Sequence, residues 1–291
     1  MLLFTKYNYN LMKLKNFLSK TAMFALIAAV FCSLSLVSCN KDTPTNSNTG
    51  TGTSTGGDTG GGTGTGGGTG TGGGTETVDI SDMGIKIEGK ITHDVRNLSD
   101  KATITFNRFP KNVAEFKKVQ ELIGGEPHGS LVLQLMAFEM YRRDVALGTE
   151  CISINSPTLN GNKTNVITTT GRLKEIFGKD ANYARPYLVA AYIKGASPTN
   201  GYNPDHPYVI TITPAKGVDY TYSGDYRAKC LYLDVLCYGI IDGATGDVKP
   251  SLRQAEIVKP KGENYFYVNN CPGLYTQVAK LDPGTTFNGL K

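Results

Sequence analysis

The sequence predicts an α+β domain in which N-terminal helices pack on a mainly antiparallel, curved sheet. Three observations lead there. Helix starts and stops concentrate between Asn112 and Gly178, and β-prone runs bounded by Pro and Gly concentrate after Pro186. No linker interrupts Val78 to Lys291, a stretch long enough for one sizeable domain.

The domain opens with extended signals. Met83 to Ile91 alternates apolar and polar residues, and Lys101 to Phe106 is short and β-prone, which suits a hairpin or two edge strands. Asn112 then offers an N-cap for a helix over Val113 to Ile123, with Glu115 at the third position and Gly124-Gly125 as its stop. Ser130 is expected to cap the next helix and Gly148 to end it. Its residues Leu131, Val132, Leu135, Met136, Phe138 and Tyr141 wrap more than half the circumference, so it should be largely buried. A third short helix is expected from Thr170 or Gly171 to Gly178.

Beyond Pro186, Tyr187 to Ile193 fits either a strand or a helical turn. Tyr208 to Thr213 reads as a strand between two prolines, and Tyr226 to Ile241 as one long strand. Arg253 to Val258 and Asn264 to Asn270 read as a hairpin across Pro260-Lys261-Gly262.

Residues 1–77 have another character. Lys13, Lys15 and Lys20 precede Thr21 to Val37, a segment without a charge, which closes on Leu36-Val37-Ser38-Cys39. Met12 is a plausible start, since Met12 to Ser38 then has the length of an ordinary signal. This pattern resembles the lipobox of bacterial lipoproteins, which implies cleavage before Cys39 and lipid on its sulfur. The alternative is a transmembrane helix, which the length also permits. Each buried methylene contributes ~0.8 kcal/mol, so two or more acyl chains anchor stably where one is marginal. No Asp follows Cys39 directly, and Asn40-Lys41-Asp42 resembles the export signal of surface lipoproteins in the Bacteroidetes. The expectation is a lipid-anchored protein of the outer membrane, with the cell surface favoured over the periplasmic face. Residues 39–77, almost wholly Gly and Thr from Thr49, form a tether with nothing to bury. A flexible coil of that length reaches roughly 30–35 Å on average.

Composition narrows the chemistry. The signal, residues 1–38, takes away four lysines and no acid, so the formal charge falls from +5 to +1. With no run of Lys and Arg as well, nucleic acid is not an expected partner. Cys151, Cys230, Cys237 and Cys271 remain, and an exported chain permits either disulfides or buried thiols. On one strand, Cys230 and Cys237 are an odd number apart and face opposite ways, so they would not bond to each other. His93, His128 and His206 lack ligand spacing and no C-x-x-C occurs, so no metal is expected. No phosphate-binding glycine loop follows a strand, so no nucleotide cofactor is expected.

Catalytic patterns are sparse. No G-x-S-x-G is present. His128 and Ser130 are close in sequence, but Ser130 reads as a helix cap. Glu139 with Arg142 and Arg143 fits helix ion pairs at three and four residues, or a buried carboxylate able to act as an acid or base.

Several stretches carry a second resemblance: Phe109 to Phe116, Gly129 to Tyr141, Tyr192 to Pro204 with Gly195-Ala196-Ser197-Pro198, Pro207-Tyr208, and Tyr220-Thr221-Tyr222. In this order they resemble a family of domains of unknown function from gut bacteria, over about residues 104–278. Members of that family tend to carry a charged, Gly-rich stretch and a tryptophan in the closing strands. Here Asp242 to Gly246 lies in that region, and Tyr265-Phe266-Tyr267 stands where no Trp occurs. The resemblance implies a fold and no activity.

Tyrosines provide the remaining functional signal. Eight occur between Tyr183 and Tyr226, among Asn, Pro and Gly loops. They suit stacking on sugars or docking of proteins, or half-buried packing in strands. The loop Ala196 to Pro207 is the expected binding rim, with Tyr192, Tyr202, Asn203 and Tyr208 as contact residues. The functional expectation is an envelope lipoprotein presenting a non-catalytic binding domain for a glycan, a peptide or an envelope protein. The alternatives are an envelope hydrolase with a dispersed site and an accessory subunit of an envelope complex.

Overall fold

A computed structural model describes residues 78–157, 164–220 and 227–291. The expected signal, Cys39, the tether, Tyr222 and Tyr226 lie outside the described residues. Six strands form one sheet in the order β1-β2-β3-β4-β5-β6, every neighbouring pair antiparallel. They are β1 (Lys86–Lys90), β2 (Lys101–Phe106), β3 (Tyr208–Pro214), β4 (Arg227–Ile241), β5 (Val248–Pro260) and β6 (Tyr267–Asn270). Four helices occur among the described residues: α1 (Val113–Ile123), α2 (Pro127–Arg143), α3 (Val145–Asn155) and α4 (Thr164–Ile176).

This order corrects the expectation of N-terminal helices followed by a sheet. β1 and β2 open the domain, and the helices are inserted between β2 and β3, which are neighbours in the sheet. The physical reason is the core face of β2. Ala102, Ile104 and Phe106 are fully buried there, in register with Ile212, Ile210 and Tyr208 of β3. The mixture of helices with an antiparallel sheet remains; their sequential segregation does not.

Local signals explain most elements. Asn112 caps α1 by accepting from the Glu115 N–H at 2.9 Å, and the Glu115 carboxylate reaches back to the Lys111 N–H at 2.8 Å. Helix α2 begins at Pro127, before Ser130, because proline in the first turn has φ preset and needs no N–H partner. Ser130 is therefore buried inside the first turn and caps nothing. Asp144 ends α2 well before Gly148, then caps α3 by accepting from Leu147 N at 2.9 Å. The helix α3 was not anticipated. Gly148 lies inside it, where a Cβ would collide with the Tyr141 backbone, so glycine permits the close α2–α3 approach. Helix α4 starts earlier than expected, and the open stretch before β3 contains a 3₁₀ turn at Ala190–Tyr192.

Helix α2 is the centre of the described domain, with every residue from Pro127 to Tyr141 buried. The sheet packs on one side of it, and α1, α3 and α4 pack elsewhere around it. At its C-terminal end Glu139 is fully buried. Arg142 spans both carboxylate oxygens at 2.7 and 2.8 Å, and Arg143 Nε donates at 2.9 Å. The second arginine also donates to the Leu290 carbonyl at 2.8 Å. The guanidinium groups of Arg142 and Arg143 lie over Phe287 and Phe109. The end of the chain is thus drawn onto the end of the helix.

Among the described residues, Cys151, Cys230, Cys237 and Cys271 are all buried, and no disulfide joins any two of them. Cys230 and Cys237 lie on opposite faces of β4, with Leu231, Leu233 and Val235 sharing the inner face of Cys237.

At the start of α2, His128 is 1 % exposed, and neither ring nitrogen has a partner among the described residues. Burial holds its pKa below 6.5; Glu126 opposes the shift and His93 adds to it. As pH falls through 6.5 the unfolded chain takes up this proton first, so stability present above that pH is lost below it. The thermal midpoint should therefore fall between about pH 7 and pH 5. His128→Leu should make that dependence shallower, with His93, shifted in the same direction, supplying the remainder. An unchanged slope in His128→Leu would exclude His128 as its source.

Candidate functional site

The four residues singled out in the loop region converge, and what they hold is the chain's own C-terminal segment. Tyr192, Tyr202 and Tyr208 are buried at 0–2 % exposure. The Tyr192 hydroxyl donates to Leu274 O at 2.8 Å and the Tyr202 hydroxyl to Ala279 O at 3.0 Å. The Tyr208 hydroxyl accepts from Lys291 N at 3.0 Å. Asn203 Nδ2 donates to Thr286 O at 2.7 Å, while its Oδ1 accepts from Asn288 N at 2.9 Å. Burial raises the pKa of all three phenols, so they stay protonated.

Local conformation explains how Tyr202 turns inward. Ser197 and Asn200 form a reciprocal capping box around the 3₁₀ turn Pro198–Asn200. Gly201 and Tyr202 follow at φ 67° and 53°. A left-handed tyrosine is uncommon. Here the ring is held by stacking on Tyr187, with centroids 4.6 Å apart and planes 6° apart. It lies beneath Gly239 of β4, where a Cβ would strike the Tyr202 hydroxyl.

The start of the same loop does reach a cleft. Ala196, Ser197, Pro198 and Thr199 face Tyr238, Val248, Pro250 and Asp282 across about 280 Å³. A register shift in β4 shapes this side. Gly239 faces inward over Tyr202, adjacent Tyr238 lines the outer cleft, and the bulge between Cys237 and Ile240 carries Ile241 to that same side. The register pairs Leu236 with Leu252 and Ile241 with Val248, placing Tyr238 and Pro250 on the strip between them. Val248 and Leu252 are each 42 % exposed and Ile241 is 56 % exposed. The cleft thus borders an exposed apolar strip along the β4–β5 arm.

Its polar edge comes from the C-terminal segment. Asp282 N and the Thr285 hydroxyl donate to Pro198 O at 3.3 and 3.2 Å, fixing that turn against the loop. The exposed Asp282 carboxylate lines the cleft without an ion pair among the described residues. At the tip of the arm, Lys249 pairs with Asp242, whose carboxyl is held below the usual range. The surface therefore offers a tyrosine ring, proline and valine faces, hydroxyls and one carboxylate. Sequence reading missed Tyr238, although the alternation Tyr232, Asp234, Leu236, Tyr238 marked one face of the strand.

The other chemical candidates are engaged elsewhere. Glu139 is enclosed by its arginines. His128 and Ser130 are buried in α2, with no hydrogen bond joining them. Among the described residues, no three His, Cys, Asp or Glu are placed to hold a metal, and no helix is long and apolar enough to cross a membrane.

Because Tyr202 is stacked, hydrogen-bonded and enclosed, Tyr202→Ala should cost about 3–5 kcal/mol, as for other large aromatic truncations. Tyr202→Phe, which leaves the Ala279 carbonyl without this donor, should cost about 1 kcal/mol. Urea unfolding of both variants measures this; a loss below about 1 kcal/mol in Tyr202→Ala would contradict the anchoring role.

A family model described as a domain of unknown function, DUF6935, matches residues 108–282. No curated protein and no solved structure matches the chain. The family match begins just after β2 and runs through α1–α4, β3–β6 and the turn at Asp282, taking in both walls of the Tyr238 cleft. It covers more than half of the 291 residues, and the chain belongs to the DUF6935 family.

Proposed function

We propose that this protein is an envelope lipoprotein, anchored through Cys39, whose domain binds a ligand without transforming it. The binding surface is the Tyr238 cleft with its adjoining apolar strip. The carrying observation is the half-buried tyrosine set between Pro250, Val248 and the loop Ala196–Thr199, with Asp282 at the edge. This combination suits a glycan: the ring and aliphatic faces take the C–H face of a sugar, while the hydroxyls and carboxylate take its O–H groups. A shallow, open cleft supports binding of part of a longer chain. The Gly/Thr tether would hold the domain clear of the lipid headgroups, on the cell surface in preference to the periplasmic face.

Glycan-array binding by the purified protein, followed by titration of any hit against Tyr238→Ala, tests the ligand class. The substitution should weaken binding by about 2 kcal/mol while leaving the thermal midpoint within a few degrees. Binding of peptides in place of glycans would reassign the ligand, and undiminished glycan binding by Tyr238→Ala would move the site.

The anchor has its own test. Cys39→Ala should release the protein from membranes with its domain still folded. Retention of the variant in the membrane pellet after alkaline carbonate would overturn the lipid attachment.

A further inference from the structure

A separate cavity of about 210 Å³ lies between α4 and β6, bordered by Ser156, Thr169, Asn269, Asn270, Cys271 and Tyr275. It shares no lining residue with the Tyr238 cleft. Its described lining presents hydroxyls, amides, a thiol and the apolar faces of Val268 and Tyr275, with no charged side chain. Burial pushes the Cys271 thiol up to about 12, with a hydrogen bond to Thr169 opposing the shift. The sulfur is thus a neutral part of the wall.

Behind this wall, Ser156 connects the cavity to an incomplete polar network. Its hydroxyl donates to Gln134 Oε1 at 3.1 Å, and Asn155 Nδ2 donates to the same oxygen at 2.8 Å. The second bond of Asn155 Nδ2 goes to Ser130 O at 3.0 Å. Gln134 and Asn155 are fully buried, yet Gln134 Nε2 and Asn155 Oδ1 have no partner among the described residues. Buried polar atoms are nearly always paired, by protein, ordered water or ligand. One donor and one acceptor therefore stand unmet in a trio that reaches the cavity through Ser156.

We propose that this cavity is a second ligand site, shaped for a single uncharged sugar residue. Phosphate and carboxylate ligands call for cationic donors, and an ammonium ligand calls for carboxylates; the described lining has neither. Sugar hydroxyls both donate and accept, matching a wall of hydroxyls and amides, and the C–H face of the ring fits Tyr275 and Val268. The volume is below the roughly 300–1,000 Å³ of drug-sized sites, which suits one ring.

The test uses the full chain with glucose, galactose, mannose and N-acetylglucosamine at millimolar concentration, read by calorimetry and by the thermal midpoint. At least one sugar should bind saturably and raise the thermal midpoint. Asn270→Ala, at an exposed position, and Thr169→Val, of matched shape, should each weaken that binding about ten-fold, the loss of one good hydrogen bond. Tyr238→Ala should leave it unchanged, which separates this site from the other cleft. The proposal is overturned if no sugar both binds and raises the midpoint, or if Asn270→Ala binds as well as the parent. Loss of binding in Tyr238→Ala alone would assign the sugar to the Tyr238 cleft and also overturn it.

Discussion

A helix that is apolar around most of its circumference must be covered on every side, and α2 imposes that requirement on the rest of the fold. A half-apolar helix could lie on a sheet and leave its other face to water. With Pro127 to Tyr141 wholly buried, α2 needs the sheet on one flank and α1, α3 and α4 around it. Insertion of the helices between β2 and β3 meets this need. The connection leaves the sheet after Phe106, makes the layer that covers α2, and returns at Tyr208 to pair beside β2.

Burial of α2 creates a charge problem at Glu139 and a local solution to it. An isolated carboxylate in a dry interior is unfavourable by several kcal/mol unless its oxygens are paired. Arg142 and Arg143 lie three and four residues along, within reach of the same carboxylate on a helix. Each arginine then stacks on a phenylalanine, and Arg143 takes the Leu290 carbonyl. Neutralising Glu139 thereby sets the path of the last residues. Tyr192, Tyr202, Tyr208 and Asn203 fasten the same segment from the other side. The tyrosine-rich region serves first as a clamp for the C-terminal segment.

The clamp also forms the candidate binding surface. Tyr202 beneath Gly239 positions the loop against β4, and Tyr238, at the bulge beside Gly239, takes the outer side. Asp282 arrives because its turn hydrogen-bonds to Pro198. Anchoring and contact are thus divided between faces of one strand: tyrosines with satisfied hydroxyls lie within, and a tyrosine bordered by exposed aliphatic residues lies without.

Local physics made the α1 cap at Asn112, the β3 strand between its prolines, the long β4 strand, the near-complete burial of α2, and the opposed faces of Cys230 and Cys237 legible in the sequence. Caps act over three residues and strand faces alternate every two, so these features need no knowledge of distant partners. Where local signals competed, sequence reading erred: Ser130 looked like a cap, but Pro127 had already started the helix, and Asp144 ended it before Gly148 could. Only tertiary structure decided that Tyr202 is an anchor, because its partner Ala279 is 77 residues away. It also decided that a cleft exists, since the walls come from residues 196–199, 238–250 and 282. A tyrosine has the same composition and local propensity inside a core or on a rim, and burial is settled by which distant segments close over it.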